Sequence, residues 1–182
     1  MKGAYASRRL WLSAILILTV ALTTVDAVRA EALLWAVESN PGCGINVANA
    51  ATVDGAGLYV VGFETHPTAA HNEPNARQWR VEKRSLTDGT LTWASALPDP
   101  DTIPSEASGV AVDGSGVYVV GSDGSRGDLD WEWRIEKRRI VDGSVIWTVT
   151  SNPTPGLDEA SAVAVDGSGL YVVGFEEYAG FG

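Results

Sequence analysis

The ten residues VDGSGVYVVG, at 112–121, decide the fold because the chain contains this unit three times. It stands at 53–62 as VDGAGLYVVG and at 165–174 as VDGSGLYVVG. A longer stretch also recurs, since RQWRVEKRSLTDGTLTWAS at 77–95 returns 54 positions later as WEWRIEKRRIVDGSVIWTV. Such spacing indicates an array of one structural unit, so a residue shared by the copies is explained more simply by architecture than by chemistry.

Each copy predicts four β-strands. In the second copy they fall at 109–113, 117–122, 131–138 and 145–149, all rich in Val, Ile, Tyr or Trp. Asp-Gly turns join the first strand to the second and the third to the fourth, and glycine there suits the positive φ of a tight hairpin.

The second and third strands differ in pattern. Tyr118, Val119 and Val120 are apolar on both faces, which predicts a strand that is covered on both sides. Large apolar and charged residues alternate in the third strand, so we expect one of its faces to be buried and the other to meet water.

A repeated four-stranded antiparallel sheet of about 54–58 residues is typical of β-propeller blades. A β-sandwich would not need such regular repetition, and a parallel β-helix would use shorter coils. We therefore predict an all-β partial propeller over residues 31–182. Residues 33–37 are the last strand of one blade, 49–96 and 108–150 are two blades, and 160–175 are the first half of another.

Fewer than three blades cannot close a ring, because closed propellers typically have about four to eight. The open apolar blade faces would need a cover. We therefore expect either a fragment of a longer protein or a homo-oligomer in which several chains complete the ring.

Two motifs resemble known propeller families. DGTLTW at 88–93 and DGSVIW at 142–147 place a tryptophan four residues after the turn glycine, which resembles the docking repeat of quinoprotein-like (PQQ-type) β-propellers. The VDGSGVYVVG unit resembles the SBBP-type seven-bladed propeller repeat. Together the resemblances cover about residues 33–175. They imply that Trp35, Trp93 and Trp147 pack between neighbouring blades as structural docking residues.

The quinoprotein resemblance also implies a cofactor class. Dehydrogenases of that family bind pyrroloquinoline quinone and calcium through residues of a full ring, and none of those positions matches this chain. The resemblance therefore predicts the fold, and PQQ is not expected here.

Residues 1–30 predict a signal peptide. Lys2, Arg8 and Arg9 precede an uncharged run at 10–25, and small residues at 28–30 suit cleavage. The run is shorter than the roughly 20 residues that cross a bilayer, so we expect no permanent membrane span. The predicted location is secreted, periplasmic or at the cell surface, and the sequence leaves open whether the paired arginines use the twin-arginine route.

The net charge of the mature chain excludes some classes of partner. Removal of residues 1–30 takes away four of the 13 basic residues and one of the 23 acidic ones, which leaves a net charge of about −13. This balance opposes contact with nucleic acid and anionic lipid. The single cysteine, Cys43, excludes an internal disulfide.

Most carboxylates are explained by turns. Asp54, Asp113 and Asp166 recur beside the first hairpin, and Asp88 and Asp142 beside the second, where a side-chain oxygen bonds local backbone N–H groups. We therefore assign no catalytic residue, and we expect function in the loops that differ between copies.

The loop at 123–130, DGSRGDLD, is the main candidate for a metal site. Asp123, Asp128 and Asp130 offer the oxygen ligands that calcium prefers, although their order does not match an EF-hand. The loop at 64–75 holds Glu64, His66, His71 and Glu73, either a solvated loop or a transition-metal site.

Trp131 is the main aromatic candidate for a ligand contact. It has no tryptophan at its place one copy earlier, so it is a candidate for stacking on a sugar ring. The leading hypothesis is an exported binding or scaffold module for a protein or glycan ligand. The alternatives are a fragment of a quinoprotein-like dehydrogenase or of a carbohydrate-active propeller enzyme, and a non-functional gene remnant.

Overall fold

The protein is all-β wherever its structure is described. The computed structural model describes residues 35–39, 45–65, 77–96, 105–124 and 130–177, and every regular element in them is a strand. The chain divides into two compact units, 1–36 and 37–182, and all the strands belong to the second. They are β1 (Val47–Asp54), β2 (Gly57–Thr65), β3 (Arg77–Arg84), β4 (Leu91–Ala96), β5 (Ser105–Asp113), β6 (Gly116–Asp123), β7 (Glu132–Arg138), β8 (Val145–Ser151), β9 (Glu159–Val165) and β10 (Leu170–Phe175).

The strands form three antiparallel sheets in sequence order. Sheet 1 is β1-β2-β3-β4, sheet 2 is β5-β6-β7-β8, and sheet 3 is β9-β10. The four predicted strands of the second copy are thus confirmed, with bounds that shift by a few residues. Residues 35–39, part of which falls in the predicted strand at 33–37, belong to no strand. The described residues contain no helix long and apolar enough to cross a membrane.

The first strands of successive sheets lie side by side. β5 contacts β1 on one side and β9 on the other, so sheet 2 packs between sheets 1 and 3. Sheets 1 and 2 meet in a hydrophobic core to which both sheets contribute. Its buried members are Tyr59, Val61, Trp79, Val81, Ala107, Val117 and Val119.

Each first strand carries a β-bulge at the same place, four residues before the ten-residue repeat unit begins. The extra residues are Asn49, Ser108 and Ser161. A bulge bends the strand and brings its carbonyl close to the neighbouring strand. At Gly121 a Cβ would collide with the carbonyl oxygen of Glu106, and the repeat equivalents of this glycine meet the same obstacle. The last glycine of the VDGSGVYVVG unit is therefore a packing requirement.

The glycine expectation for the first turn was wrong. Gly114 and Gly116 do not adopt positive φ, whereas Gly89 and Gly143 in the second turn both have φ of 72°. In the first turn the carboxylate of Asp113 accepts hydrogen bonds from the backbone N–H groups of Ser115 and Gly116, at 2.7 and 3.1 Å. The aspartate therefore closes this turn without left-handed backbone, and the predicted turn role of the repeated aspartates is confirmed.

The expectation of a wet face on the third strand was also wrong. Glu136 is 0% exposed and Arg138 is 1% exposed, although both lie on the charged face of β7. Arg138 NH1 donates to Ser95 Oγ on β4 at 2.8 Å, so this face packs against the preceding sheet. The alternation of charged and apolar residues predicted that the charged face is exposed to solvent. A second sheet can nevertheless cover a charged face when its charges are paired.

The pairing is a ladder of alternating charge along the strand. Glu136 binds Arg134 through Oε1 at 2.7 Å and Arg138 through Oε2 at 2.6 Å. Arg134 also reaches Asp123 at the end of β6, at 2.6 Å. Residues two apart share a strand face, which places the three charges in a row. The same ladder in sheet 1 consists of Glu64, Arg80, Glu82 and Arg84.

Candidate functional site

The two ends of the sheets differ in kind. Because the strands are antiparallel, both tight turns of a copy lie at one end, which we call the repeated end. The other end, which we call the variable end, holds the strand ends that are joined by the segments from β2 to β3, β4 to β5, β6 to β7 and β8 to β9. These segments differ in length and sequence between copies. Residues there are free of the requirement to build a repeated sheet, so the variable end is the candidate functional site.

The proposed calcium ligands are dispersed among other partners. Asp123 is buried and bound to Arg134, while Asp130 accepts a hydrogen bond from Asn152 Nδ2 at 2.8 Å. Asp128 lies outside the described residues, as do His66, His71 and Glu73 of the other loop. Within the described part of the chain, no three His, Cys, Asp or Glu side chains come together as a metal site. The calcium site stays a prediction.

Asp158 is the feature of the variable end that sequence reasoning missed. It is 0% exposed, and its Oδ1 accepts from the Glu177 backbone N–H at 3.1 Å. Its Oδ2 is buried and accepts no hydrogen bond from a described residue. Burial of a carboxylate oxygen without a partner is costly, so Asp158 is an unusual group in the interior of a sheet protein.

Trp131 lies beside Asp158. The Asp158 N–H donates to the Trp131 carbonyl at 3.2 Å, and the Trp131 N–H donates to the Gly156 carbonyl at 2.8 Å. The indole Nε1 of Trp131 is buried and donates to no described residue. The two segments pair through a parallel bridge between Trp131 and Leu157, which directs the side chains of Trp131 and Asp158 to opposite faces. Each side chain therefore offers its own hydrogen bond, the indole as a donor and the carboxylate as an acceptor. The sequence singled out Trp131, whereas Asp158 gave no signal beside its acidic neighbour Glu159.

Trp93 makes the sheet-to-sheet contact that the resemblance implied. Its Nε1 donates to the carbonyl of Ile140 at 3.1 Å, in the turn between β7 and β8. Its ring lies against Gly143, where a Cβ would come within 2.6 Å of the indole, and 6.4 Å from the ring of Tyr59. Trp93 thus joins the outer strand of sheet 1 to sheet 2.

Trp147 occupies the same place one copy later, with a different environment. Its ring lies 6.4 Å from Tyr118, as Trp93 does from Tyr59, but it is 36% exposed and its indole N–H bonds no described residue. Trp35 is described as partly buried and lies in the other unit of the chain. The docking role of Trp35 and Trp147 stays a prediction.

A second tryptophan pair links the sheets in a way that the sequence did not indicate. Trp79 on β3 donates from Nε1 to the carbonyl of Ser122 on β6 at 2.9 Å. Trp133 on β7 makes the equivalent bond to the carbonyl of Phe175 on β10, also at 2.9 Å. A tryptophan in a third strand therefore reaches the end of the second strand in the following sheet.

The turn carboxylates are fixed in the ionised form. For Asp113 and Asp142 the hydroxyl two residues on is the main hydrogen-bond donor that lowers the pKa, and for Asp88 it is the backbone N–H of Thr90. Such groups serve as turn ties and are poor proton donors near neutral pH. Burial raises the pKa of Tyr59 to about 12, with a further contribution from Asp54. None of these groups lies at the variable end.

An apolar surface on sheets 2 and 3 is open. Tyr171, Val173 and Phe175 alternate along β10 and are 52%, 62% and 48% exposed, and Trp147 on β8 adds its indole. We call these four residues the open face. A row of exposed apolar side chains along one strand marks a place where another surface packs.

The comparisons with known proteins assign no role to these groups. No protein-family model matches it, and comparison with curated proteins finds no match either. The likeness to quinoprotein-like and SBBP-type repeats therefore rests on the motifs in its own sequence. The function is inferred from the variable end and the open face.

Proposed function

We propose that this protein is an exported β-propeller module that binds a polar ligand, such as a glycan or a protein, at the cell surface or in the periplasm. The variable end of its blades is the binding surface. The observation that carries the proposal is the division between a repeated end, whose residues are absorbed by turns, and a variable end that holds Asp158 and Trp131 with unused hydrogen-bonding atoms.

The blade interpretation is supported by the way that the sheets are stacked. Four-stranded antiparallel sheets follow one another along the chain, and their first strands lie side by side. Long side chains such as Trp93 and Arg138 link the outer strands across the gap. In a radial arrangement of sheets, the first strands lie close together and large side chains bridge the gap between the outer strands. The contacts described above fit this arrangement.

The binding interpretation is supported by chemistry. The repeated aspartates are tied to backbone N–H groups, and the ladder carboxylates are tied to arginines. Neither set is available as an acid and base pair for catalysis. The indole donor of Trp131 and the carboxylate acceptor of Asp158 each offer a hydrogen bond to a polar ligand, and the aromatic ring offers apolar contact.

Retention on the cell envelope tests the proposal. The full chain is incubated with isolated envelope fragments from the producing cells, and the bound fraction is measured by co-sedimentation. We expect Asp158→Asn with Trp131→Phe to reduce the bound fraction at least fivefold while the thermal midpoint changes little. Ser115→Ala at the repeated end is the matched control and should bind as the parent does. Equal retention of all three proteins would refute a binding role for the variable end.

Export is tested separately. Amino-terminal sequencing of the protein recovered from outside the cytoplasm should begin at Glu31, because the small residues at 28–30 precede it. Recovery of an intact Met1 from the cytoplasm alone would contradict export and would leave the binding test unaffected.

A further inference from the structure

Among the residues that the structure describes, strand β10 has an open edge as well as an open face. In sheets 1 and 2 the second strand is paired on both sides, whereas β10 is paired within the described residues only with β9. An unpaired edge presents a row of backbone N–H and C=O groups that can accept another strand.

Sheets 1 and 2 show which kind of strand pairs with the equivalent edge of β2 and β6. β3 pairs with β2 so that Lys83 lies opposite Tyr59, and Lys137 on β7 lies opposite Tyr118 in the same register. In each case the lysine Nζ lies over the tyrosine ring, at 5.4 and 5.2 Å from its centroid. The register of the pair is therefore marked by a cation over an aromatic ring.

A charge pair fixes the other end of the same junction. An acidic residue stands two positions after the last glycine of the repeat unit. It binds the first arginine of the charge ladder on the third strand. Glu64 binds Arg80 at 2.8 Å, and Asp123 binds Arg134 at 2.6 Å. Both contacts are partly buried and so are stronger than a surface pair.

β10 carries the receptor half of both contacts. Tyr171 stands at the position of Tyr59 and Tyr118, and Glu176 stands at the position of Glu64 and Asp123; both are exposed. Trp147 stands where Trp93 donates to the carbonyl of Ile140, in the turn that follows a third strand. The three groups match one incoming element, a third strand with its turn.

We propose that β10 is a docking edge for a β-hairpin of the pattern Trp-Arg-(Val or Ile)-Glu-Lys-Arg followed by a turn and a Trp-bearing strand. The hairpin pairs antiparallel with β10, its arginine binds Glu176, its lysine covers Tyr171, and its turn carbonyl accepts the N–H of Trp147. The occupant is thus a strand pair of this same repeat. This interaction is independent of the ligand at the variable end.

A peptide with the sequence of residues 131–151 is the probe, because it contains the whole pattern. The peptide carries a fluorophore, is titrated with the full chain, and its anisotropy is measured. We expect saturable binding. A scrambled peptide of the same composition should show none.

A charge swap separates register-specific docking from general adhesion. Glu176→Lys in the chain should weaken binding of the peptide about tenfold, since like charges then meet at the junction. The peptide with Arg134→Glu should restore binding to Glu176→Lys. Tyr171→Ser should weaken binding severalfold, which supplies a second variant should one of them fold poorly.

Three results would overturn the proposal. The first is equal binding of the scrambled peptide, and the second is no saturable binding to a chain that is folded by circular dichroism. The third is a dimer of the full chain that Tyr171→Ser dissociates and the peptide does not, because the face would then take a second copy. Loss of envelope retention by the Asp158 and Trp131 variant would leave peptide binding unchanged, so the two proposals fail separately.

Discussion

Strands β6 and β10 carry nearly the same sequence and meet opposite surroundings. Tyr118 and Val120 on β6 are 7% and 0% exposed, whereas Tyr171 and Val173 at the same places on β10 are 52% and 62% exposed. Each strand turns at an aspartate and each crosses a bulge opposite its glycine. The comparison teaches that the repeat sequence determines the strand, while the neighbouring sheet determines its burial.

The largest difference is expected for the charge ladder. Glu136→Gln removes a 0%-exposed carboxylate that holds both Arg134 and Arg138, and leaves Arg138 buried without its partner. We expect a loss of about 3–5 kcal/mol in the free energy of unfolding, measured by urea titration. Glu176→Gln on the exposed end of β10 is the matched control and should change it by less than about 0.5 kcal/mol. Similar small losses for both would show that the ladder is solvated.

The burial of β6 beneath a neighbouring sheet gives the next effect. Val120→Ala deletes two methyl groups from a fully buried position, so we expect a loss of about 2–3 kcal/mol. Val173→Ala makes the same change at the open position and should cost less than about 0.5 kcal/mol. The ratio of the two losses measures how much of the stabilisation comes from the covering sheet. Equal losses would mean that β10 is covered in solution.

A substitution at the bulge of a covered sheet should lower the free energy of unfolding, whereas a substitution in the neighbouring turn should change it little. Gly121→Ala drives a methyl group into the carbonyl of Glu106, and we expect a loss of about 1–2 kcal/mol. Gly114→Ala has no atom within 4 Å of the new methyl group, and its φ is not positive, so its effect should lie within about 0.5 kcal/mol. Thermal unfolding monitored by circular dichroism distinguishes these outcomes. An equal shift in both variants would argue against the bulge geometry.

The smallest effect is expected for the change in stability that follows ionisation of Tyr59 at alkaline pH. Its pKa is about 12 in the folded chain, against 10.0 for an unperturbed tyrosine, because burial and Asp54 favour the neutral form. A raised folded pKa contributes stability that is complete below pH 10 and is lost as pH rises towards about 12. Tyr59→Phe should flatten this part of the stability profile. A profile that is unaltered by Tyr59→Phe would place the loss in other groups.

The sequence predicted what depends on local repetition. Four strands per copy, the aspartate turns and the doubly covered strand at Tyr118 all follow from alternation and turn chemistry, and the structure confirms them. The predicted wet face at Glu136 failed because a periodic pattern describes one strand and cannot reveal that a second sheet lies over its charges. Positive φ at Gly114 failed because the carboxylate of Asp113 closes the turn by itself.

The candidate site was less accessible to sequence reasoning. The variable loops were identified because they differ between copies, and Trp131 was noticed as an unmatched aromatic. Asp158 was not, because its unusual state arises from burial next to the Trp131 backbone, a contact between segments 27 positions apart.

Amide hydrogen exchange of the intact protein, compared between β6 and β10 in one sample, tests the central claim most directly. If the neighbouring sheet and strand create the protection, the amides of β6 should exchange only through global unfolding. Those of β10 that point away from β9 should exchange at least a hundredfold faster. Equal protection of Tyr118–Ser122 and Tyr171–Phe175 would contradict an open face and an open edge.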